Sequence, residues 1–243
     1  MGRHIFRFKQ FQVNQEGCAM KINTDGVLIG ALAGLPHTRL PDDDGARILD
    51  IGTGTGVIAL MLAQRFPQAS VDAVEIDQQA SITAAANFSA SPFAGRLRVQ
   101  HTAIEDYQHT LKYDLIVSNP PYFVNDLKNP EQRKSIARHA SEDFFTAMLR
   151  KASGLLSDEG LLWLILPVKQ ADLITSGMCR EFGLYLKSEV SVRSDSSKPV
   201  IRKIICLSCT ESPVLREEFC IYDQQGTHSN AYQLLLKDFF LAY

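Results

Sequence analysis

The sequence has no uninterrupted apolar run of about 18 residues, the length that a helix needs to cross a bilayer, so we expect no membrane contact. Its first residues, MGRHIFRFKQF, lack the apolar core and the small-residue cleavage site of a signal peptide. The five cysteines are an odd number, and most of them lie in apolar stretches. These absences argue against a disulfide framework and predict a cytoplasmic protein with reduced cysteines.

The sequence also has little that could bind a metal ion. Cys206 and Cys209 form one CxxC pair, but no second pair and no nearby pair of histidines accompanies it. We interpret both cysteines as core residues at the end of an apolar strand, and we expect no metal site.

An excess of charge of either sign is absent as well. The 243 residues contain 25 Lys and Arg against 27 Asp and Glu, which gives a formal net charge of −2. Any contact with nucleic acid must therefore use a local basic patch rather than global charge. Hydrophobic residues make up 45% of the chain, which is enough for one large α/β domain, and we expect a monomer.

Strand-like and helix-like stretches alternate from residue 46 onward. This alternation predicts an α/β fold with a mostly parallel sheet and helices on both faces, closed by a final antiparallel strand. The seven predicted strands span 46–51, 69–77, 96–102, 113–119, 160–167, 184–194 and 199–209. We divide the chain into a strand and helix extension at 1–45, a core at 46–210, and a strand and helix tail at 211–243 that belongs to the same domain.

A glycine-rich loop, ILDIGTGTG at 48–56, follows the first core strand and opens a helix. Glycines allow the backbone to turn tightly and to approach a ligand closely. The fingerprint of nicotinamide enzymes needs its third glycine one residue later, and Asp50 would repel a pyrophosphate, so a nicotinamide oxidoreductase is disfavoured. Asp50 would instead suit a ligand that carries an amino group. Glu75 ends the next strand, 19 residues after Gly56, where a carboxylate can accept both hydroxyls of a ribose.

This combination resembles the class I S-adenosylmethionine-dependent methyltransferases. Asp50 and the three glycines match their first motif, and Glu75 matches their second. The resemblance implies a Rossmann-like fold, S-adenosylmethionine as cofactor and S-adenosylhomocysteine as product. It assigns to the cofactor the residues Asp50, Gly52, Gly54, Gly56, Glu75, Ile76 and Asn119.

One position departs from this family pattern. Such enzymes often place an aspartate after the third strand to contact the adenine amine of the cofactor, and Ala103 occupies that position here. The backbone of Ala103 and Ile104 could read the adenine edge instead, or Glu105 or Asp106 could substitute. The sequence leaves these alternatives open.

The stretch DLIVSNPPYF, at 114–123, ends a buried strand in a polar amide, two prolines and an aromatic ring. Prolines carry no N–H, so acceptors remain at the tip: the side-chain oxygen of Asn119 and the carbonyl of Pro120. Two acceptors suit an –NH2 group, because they free its lone pair to attack a methyl group without a strong base. Tyr122 would stack on a planar substrate. The predicted catalytic residues are Asn119, Pro120, Pro121 and Tyr122.

NPPY matches the signature of methyltransferases that act on amino groups, which are adenine N6, guanine N2 or glutamine amides. Together with residues 6–32 and the ending HSNAYQLLLKDFFLAY, it resembles the bacterial tRNA(Val) adenine-37 N6-methyltransferase family over nearly the full length. The segment CAMKINTDG is the most specific part, since it lies outside the general methyltransferase motifs. The resemblance implies methyl transfer to N6 of the adenosine 3′ of the anticodon in a valine tRNA.

Other substrates remain as alternatives. Guanine N2 or DNA adenine N6 would need the same chemistry at NPPY. Glutamine methyltransferases usually carry a separate helical domain before the glycine loop, for which about 45 residues leave no room. A non-catalytic RNA-binding module would have no reason to keep Asn119 and the two prolines.

Residues outside the motifs complete the predicted site. By position, Lys21, Thr24 and Asp25 precede the glycine loop and are expected to help to close the cofactor pocket. A tRNA substrate needs cations, and two stretches of the chain supply them. The predicted RNA-binding residues are Lys128, Arg133, Lys134 and Arg138 in the first stretch and Arg193, Lys198, Arg202 and Lys203 in the second.

Overall fold

The computed structural model describes residues 4–37, 45–121 and 130–243, with the side chains of 130–141 left outside this description. The strands are β1 Ile5–Arg7, β2 Gln12–Asn14, β3 Arg47–Ile51, β4 Ser70–Glu75, β5 Leu97–His101, β6 Tyr113–Ser118, β7 Leu156–Leu166, β8 Tyr185–Arg193, β9 Val200–Ser208 and β10 Leu215–Cys220. The helices are α1 Thr24–Leu32, α2 Val57–Arg65, α3 Gln78–Ser89, α4 Pro130–Leu155, α5 Val168–Thr175 and α6 Asn230–Leu236.

The main sheet has the strand order β10-β8-β9-β7-β6-β3-β4-β5. Neighbouring strands are parallel except at β9, which runs antiparallel to both β7 and β8. The predicted α/β class and the antiparallel pair near the end of the core are confirmed. The sheet has one strand more than predicted, because β10 pairs in parallel with β8 and extends the edge.

The central strands are buried on both faces, which is why they read as almost continuous apolar runs. Successive side chains point to opposite faces, so Ile48 packs into the core under α1, α2 and α3, whereas Leu49 packs into the core under α4 and α5. In β6, Leu115 packs into the same core as Ile48, and Ile116 packs into the same core as Leu49. Helices therefore cover both faces, as the alternating pattern predicted.

The carboxyl ends of β3, β4 and β6 meet at one edge of the sheet. Ile51 is paired with Ser118 on one side and with Val74 on the other. The hydroxyl of Ser118 donates a 2.8 Å hydrogen bond to the carbonyl of Ile51, which ties two strand ends together. The chain order reverses around β3, and ligands of open α/β sheets bind at this kind of switch point.

The N-terminal segment forms a hairpin and a capped helix. The chain turns between β1 and β2, where the N–H of Phe8 donates to the carbonyl of Phe11 at 2.8 Å. Asn23 caps α1, since its side-chain oxygen accepts from the N–H of Gly26 at 2.9 Å. The helix runs from Thr24 to Leu32.

The two ends of the chain lie against each other. Lys9 donates its backbone N–H to the carbonyl of Phe239 at 2.8 Å, and the rings of Phe6 and Phe240 are 5.9 Å apart. The assignment of 1–45 and 211–243 to one domain with the core stays a prediction. Within the described ranges, no helix combines the length and the apolar character that a bilayer crossing requires.

Candidate active site

A cavity of about 340 Å³ opens at the carboxyl ends of β3, β4 and β6. It gathers most of the residues predicted from the glycine loop, the acidic motif and the NPPY stretch. The predicted residues that line it are Gly52, Gly54, Glu75, Ile76, Ala103, Ile104, Asn119, Pro120 and Pro121. The topology therefore brings together three motifs that are far apart in sequence.

The glycine loop presents bare backbone to this cavity. Gly52 and Gly54 have φ values of 70° and 58°, in the left-handed region that favours glycine. A Cβ built on either residue would meet no atom within 4 Å, so a ligand can approach the backbone there. Gly56 is not among the cavity-lining residues, and a Cβ on it would lie 2.5 Å from Cε1 of Phe88, so a larger residue there would collide with α3. Its predicted contact with the cofactor stays a prediction.

Glu75 is held at the end of β4 by two backbone donors. The N–H of Gly54 donates to its Oε2 at 2.8 Å, and the N–H of Asp77 donates to its Oε1 at 2.9 Å. The side chain lines the cavity although only 8% of the residue is exposed. Each carboxylate oxygen keeps a further lone pair, so the fixed carboxylate can accept from the two hydroxyls of a ribose.

Asp50 lies beneath the glycine loop and is not one of the cavity-lining residues, in contrast to the predicted contact with the cofactor. It is fully buried, and its Oδ2 accepts from the Thr53 hydroxyl at 2.6 Å. Burial raises the pKa of Asp50 to about 7; the charge of Glu75 adds to this effect, whereas hydrogen bonds from Thr53 and Ala59 oppose it. The residue thus supports the loop from inside the core.

Asn119 follows β6 directly and lies beside the start of two helices. A Cβ built on Gly26, in the first turn of α1, would be 3.8 Å from Nδ2 of Asn119 and 3.7 Å from Cγ1 of Val57. Pro120 is buried and Pro121 is exposed. Tyr122, predicted to stack on the substrate, lies outside the described residues.

The N-terminal wall of the cavity differs from the predicted one. Lys21 and Thr24 are exposed and do not line it, and neither does Asp25. The wall is formed instead by Cys18, Ala19 and Met20. These three residues open the segment CAMKINTDG, and the family resemblance of that segment was the signal that could have pointed to them.

This wall is held by hydrogen bonds to its flanks. The hydroxyl of Thr83, in α3, donates to the carbonyl of Glu16 at 3.2 Å, and the N–H of Ile22 donates to Oε1 of Gln15 at 2.7 Å. The chain between these two hydrogen bonds therefore follows a fixed path along α3. On this path residues 18–20 face the cavity and Lys21 faces outward.

Another part of the cavity wall is largely apolar. Ile76 is 71% exposed at the cavity, which is unusual for a large apolar side chain and leaves its surface available to a flat ring. Ala103 and Ile104 line the same region, and Glu105 does so while Asp106 does not. Phe144 of α4 also lines it and was not predicted, because only the tertiary fold brings α4 to this edge.

The second basic stretch is largely compensated by acids. Arg202 donates from Nε to Oδ2 of Asp25 at 2.8 Å. The predicted pocket contact of Asp25 and the predicted RNA contact of Arg202 stay predictions. Arg193 pairs with Glu218 at 3.1 Å. Lys198 is exposed.

Lys203 shows the same compensation. Its Nζ lies 2.8 Å from Asp172 and 3.2 Å from Glu189. Burial alone would lower the pKa of Lys203, but the hydrogen bonds and charges of the two carboxylates raise it above its usual value.

The first basic stretch begins before α4 and continues into it. Lys128 lies outside the described residues, and Arg133, Lys134 and Arg138 lie in α4 with side chains outside the description. Their predicted contact with RNA stays a prediction. In the described part of the chain, no group of three or more His, Cys, Asp or Glu could hold a metal ion.

Comparisons with known proteins agree with this geometry. The family model described as methyltransferase small domain matches residues 34–183. A solved structure of a predicted O-methyltransferase from Agrobacterium tumefaciens is similar with a TM-score of 0.66 at 18% identity, over 88% of this chain and 96% of that chain. At this identity the likeness shows the fold alone.

Two curated relatives match over the full length. The tRNA1(Val) (adenine(37)-N6)-methyltransferase of Pedobacter heparinus is 55% identical over 99% of this chain and 100% of its own length. The protein of the same name from Parabacteroides distasonis is 39% identical over 99% of each chain. The chain belongs to the tRNA1(Val) (adenine(37)-N6)-methyltransferase family.

Proposed function

We propose that this protein transfers a methyl group from S-adenosylmethionine to N6 of adenine 37 in tRNA(Val), as a monomer in the cytoplasm. One observation carries the proposal: the glycine loop, Glu75 and the Asn119-Pro120 tip line one cavity at the carboxyl edge of the sheet. A cofactor site and an amine site that share a cavity can bring a methyl donor and an acceptor nitrogen into contact.

The residues of the cavity fit S-adenosylmethionine. Gly52 and Gly54 leave room for the amino acid portion beside the backbone, and the fixed carboxylate of Glu75 suits the ribose. Ile76 and Ile104 offer apolar surface to the adenine ring. A volume of about 340 Å³ lies in the range of cavities that enclose a small molecule.

The chemistry at the tip of β6 follows from its acceptors. S-adenosylmethionine supplies an electrophilic methyl group when bound. The side-chain oxygen of Asn119 and the carbonyl of Pro120 accept from the two N–H groups of the adenine amine, which orients the nitrogen and frees its lone pair. Because the Asn119 amide does not ionise, it acts by holding the nitrogen in place, and the proton leaves after transfer.

The tRNA contact is proposed for the first basic stretch. Arg133 and Lys134 lie in α4, whose later residue Phe144 reaches the cavity. In the second stretch Arg193, Arg202 and Lys203 already have carboxylate partners, which reduces their attraction for phosphates. We therefore favour the first stretch as the main footprint.

Mass spectrometry of nucleosides tests the proposed function. Purified protein is incubated with S-adenosylmethionine and tRNA that lacks the modification, and valine tRNA is then isolated and digested. We expect N6-methyladenosine at position 37, and none with the Asn119→Ala variant over the same time. A methyl group on guanine, or on protein but not on tRNA, would contradict the proposal.

A further inference from the structure

Asp25 and Arg202 connect two segments that are 177 residues apart in sequence. Nε of Arg202 donates to Oδ2 of Asp25 at 2.8 Å, and the two side chains are 29% and 15% exposed. A pair that is this far removed from water is screened less by salt than a pair on the open surface. It can therefore hold two structural elements in a fixed relationship.

The pair acts on the first turn of α1. Asp25 lies in that turn, where a negative charge is favourable because of the positive end of the helix dipole. Asn23 fixes the same turn from within the chain by capping Gly26. Arg202 adds an anchor from outside the helix.

That turn borders the tip of β6. Gly26 directly follows Asp25, and a Cβ at Gly26 would be in van der Waals contact with Nδ2 of Asn119 at 3.8 Å. The helix backbone at this turn therefore lies about one side-chain atom away from the amide. A displacement of this turn would change the room available to the Asn119 side chain and therefore the orientation of its amide.

The anchor itself belongs to the sheet. Because β9 is antiparallel, its first residues lie at the same edge as the carboxyl ends of the parallel strands: Lys203, next to Arg202, is paired with Leu166 at the end of β7. On the other side of β7, Leu164 is paired with Ser118, the residue before Asn119. Arg202 and Asn119 are thus carried by strands of one rigid sheet.

We propose that Asp25 and Arg202 are positioning residues for methyl transfer: their ion pair holds the first turn of α1 against Asn119 and so keeps its amide oriented toward the substrate amine. This inference rests on the proposed role of Asn119 as the acceptor of that amine. In this role Arg202 supports the site and does not bind the phosphates of tRNA. Arg202 acts through Asp25 and α1 and does not touch the reacting atoms.

Single-turnover kinetics with saturating cofactor and tRNA test the inference, using Asp25→Asn, Arg202→Ala, Arg202→Lys and the double variant Asp25→Asn/Arg202→Ala. We expect each of the first two changes to slow methyl transfer about tenfold or more, since small misplacement of reacting groups has large effects. The double variant should be no slower than the slower single variant, because both changes remove one interaction. Arg202→Lys should recover part of the rate.

Binding measurements separate this role from RNA recognition. We expect the affinity for tRNA and its dependence on salt to stay unchanged in Asp25→Asn and Arg202→Ala. The matched control is Arg47→Ala, which removes an arginine of similar exposure (23%) whose partner Asp72 lies on β4 and not on α1. This control should leave the transfer rate unchanged.

Three results would overturn the inference. The first is a wild-type transfer rate in Asp25→Asn, a conservative change that keeps the size of the side chain. The second is additive effects of the two single changes. The third is weaker tRNA binding with a flatter salt dependence in Arg202→Ala, which would make Arg202 a phosphate ligand. Failure of the proposed function looks different, because the wild-type protein would then not methylate tRNA, or Asn119→Ala would do so at the wild-type rate.

Discussion

The backbone N–H of Gly54 donates a 2.8 Å hydrogen bond to Oε2 of Glu75, so the glycine loop and the end of β4 form one unit. The same carboxylate accepts a second hydrogen bond from the backbone N–H of Asp77, which is the N-cap residue of α3. Charge-assisted bonds of this kind are about twice as strong as neutral ones. Glu75 therefore shapes the loop, and in the proposed function its remaining lone pairs accept from the ribose of the cofactor.

Glu75→Ala should weaken binding of S-adenosylhomocysteine. The change removes the hydrogen bonds that the carboxylate is proposed to accept from the ribose hydroxyls, which contribute on the order of 1.5–3 kcal/mol, or about 10- to 150-fold in Kd. Calorimetric titration measures the effect. Because Glu75 also holds Gly54, circular dichroism should first show that the variant is folded. An unchanged Kd would remove Glu75 from the cofactor site.

Glu105 and Asp106 can be distinguished as readers of the cofactor's adenine amine. Only Glu105 of the two lines the cavity, so Glu105→Ala should reduce the preference for S-adenosylhomocysteine over its inosyl analogue, which lacks the amine. A lost hydrogen bond to a charged acceptor corresponds to a change of roughly tenfold or more. Asp106→Ala serves as the matched control and should leave the preference intact. If neither variant changes it, the backbone of Ala103 and Ile104 reads the adenine edge.

Asn119→Ala should lower the rate of methyl transfer about 10²- to 10³-fold, by analogy with the loss of one preorganised polar group. Its affinity for tRNA should change little, because the hydrogen bond that Asn119 accepts from the amine matters most as the nitrogen attacks. Single-turnover rates and filter binding measure the two quantities separately. A loss of affinity with an unchanged transfer rate would assign Asn119 to substrate binding alone.

The stacking role that the sequence predicts for Tyr122 can be tested in the same assays. Tyr122→Phe should be tolerated, whereas Tyr122→Ala should reduce both binding and turnover, because the ring and not the hydroxyl is proposed to stack on the extruded base. Equal defects in the two variants would make the hydroxyl the important group.

Asp50 makes the stability of the protein depend on pH. Its pKa is about 7 in the folded state against an ordinary value of 3.8, so the folded protein keeps a proton that the unfolded chain has released between these values. The contribution of Asp50 to the free energy of unfolding is therefore fully present at low pH and is lost as the pH rises from about 4 to about 7. Over this window the loss is on the order of 4 kcal/mol.

Asp50→Asn cannot ionise and should remove this contribution. The stability of the variant relative to the wild type should rise as the pH increases from about 4 to about 7, as measured by urea denaturation at each pH. Other groups titrate in both proteins, so the difference between them isolates Asp50. Parallel stability curves would show that the Asp50 carboxyl titrates at its ordinary pKa.

Charge reversal at Arg133 and Lys134 should weaken tRNA binding and flatten its dependence on salt. Each lost phosphate contact reduces the slope of log K against log salt by about 0.7–0.9, because fewer counterions are released. Affinity for S-adenosylhomocysteine should not change. Lys198→Glu, in the second basic stretch, is the comparison variant. If only Lys198→Glu changes the slope, the footprint lies in the second stretch.

The local elements of this protein were predictable from the sequence. The alternation of strands and helices, the glycine loop and the NPPY tip each depend on a few consecutive residues, whose periodicity and backbone preferences can be read directly. The rule that carboxyl ends of parallel strands share an edge then places Glu75 and Asn119 near each other. The family resemblance supplied the substrate, which no local pattern specifies.

Only the tertiary structure decided which side chains meet across long separations in sequence. It placed Cys18, Ala19 and Met20 at the cavity in place of Lys21 and Thr24, because hydrogen bonds to Gln15 and from Thr83 set the path of the chain over α3. It paired Arg202 with Asp25, and it added β10 to the edge of the sheet. Sequence patterns report what each segment prefers by itself, whereas a charge becomes either a ligand or a support according to the partner that the fold brings to it.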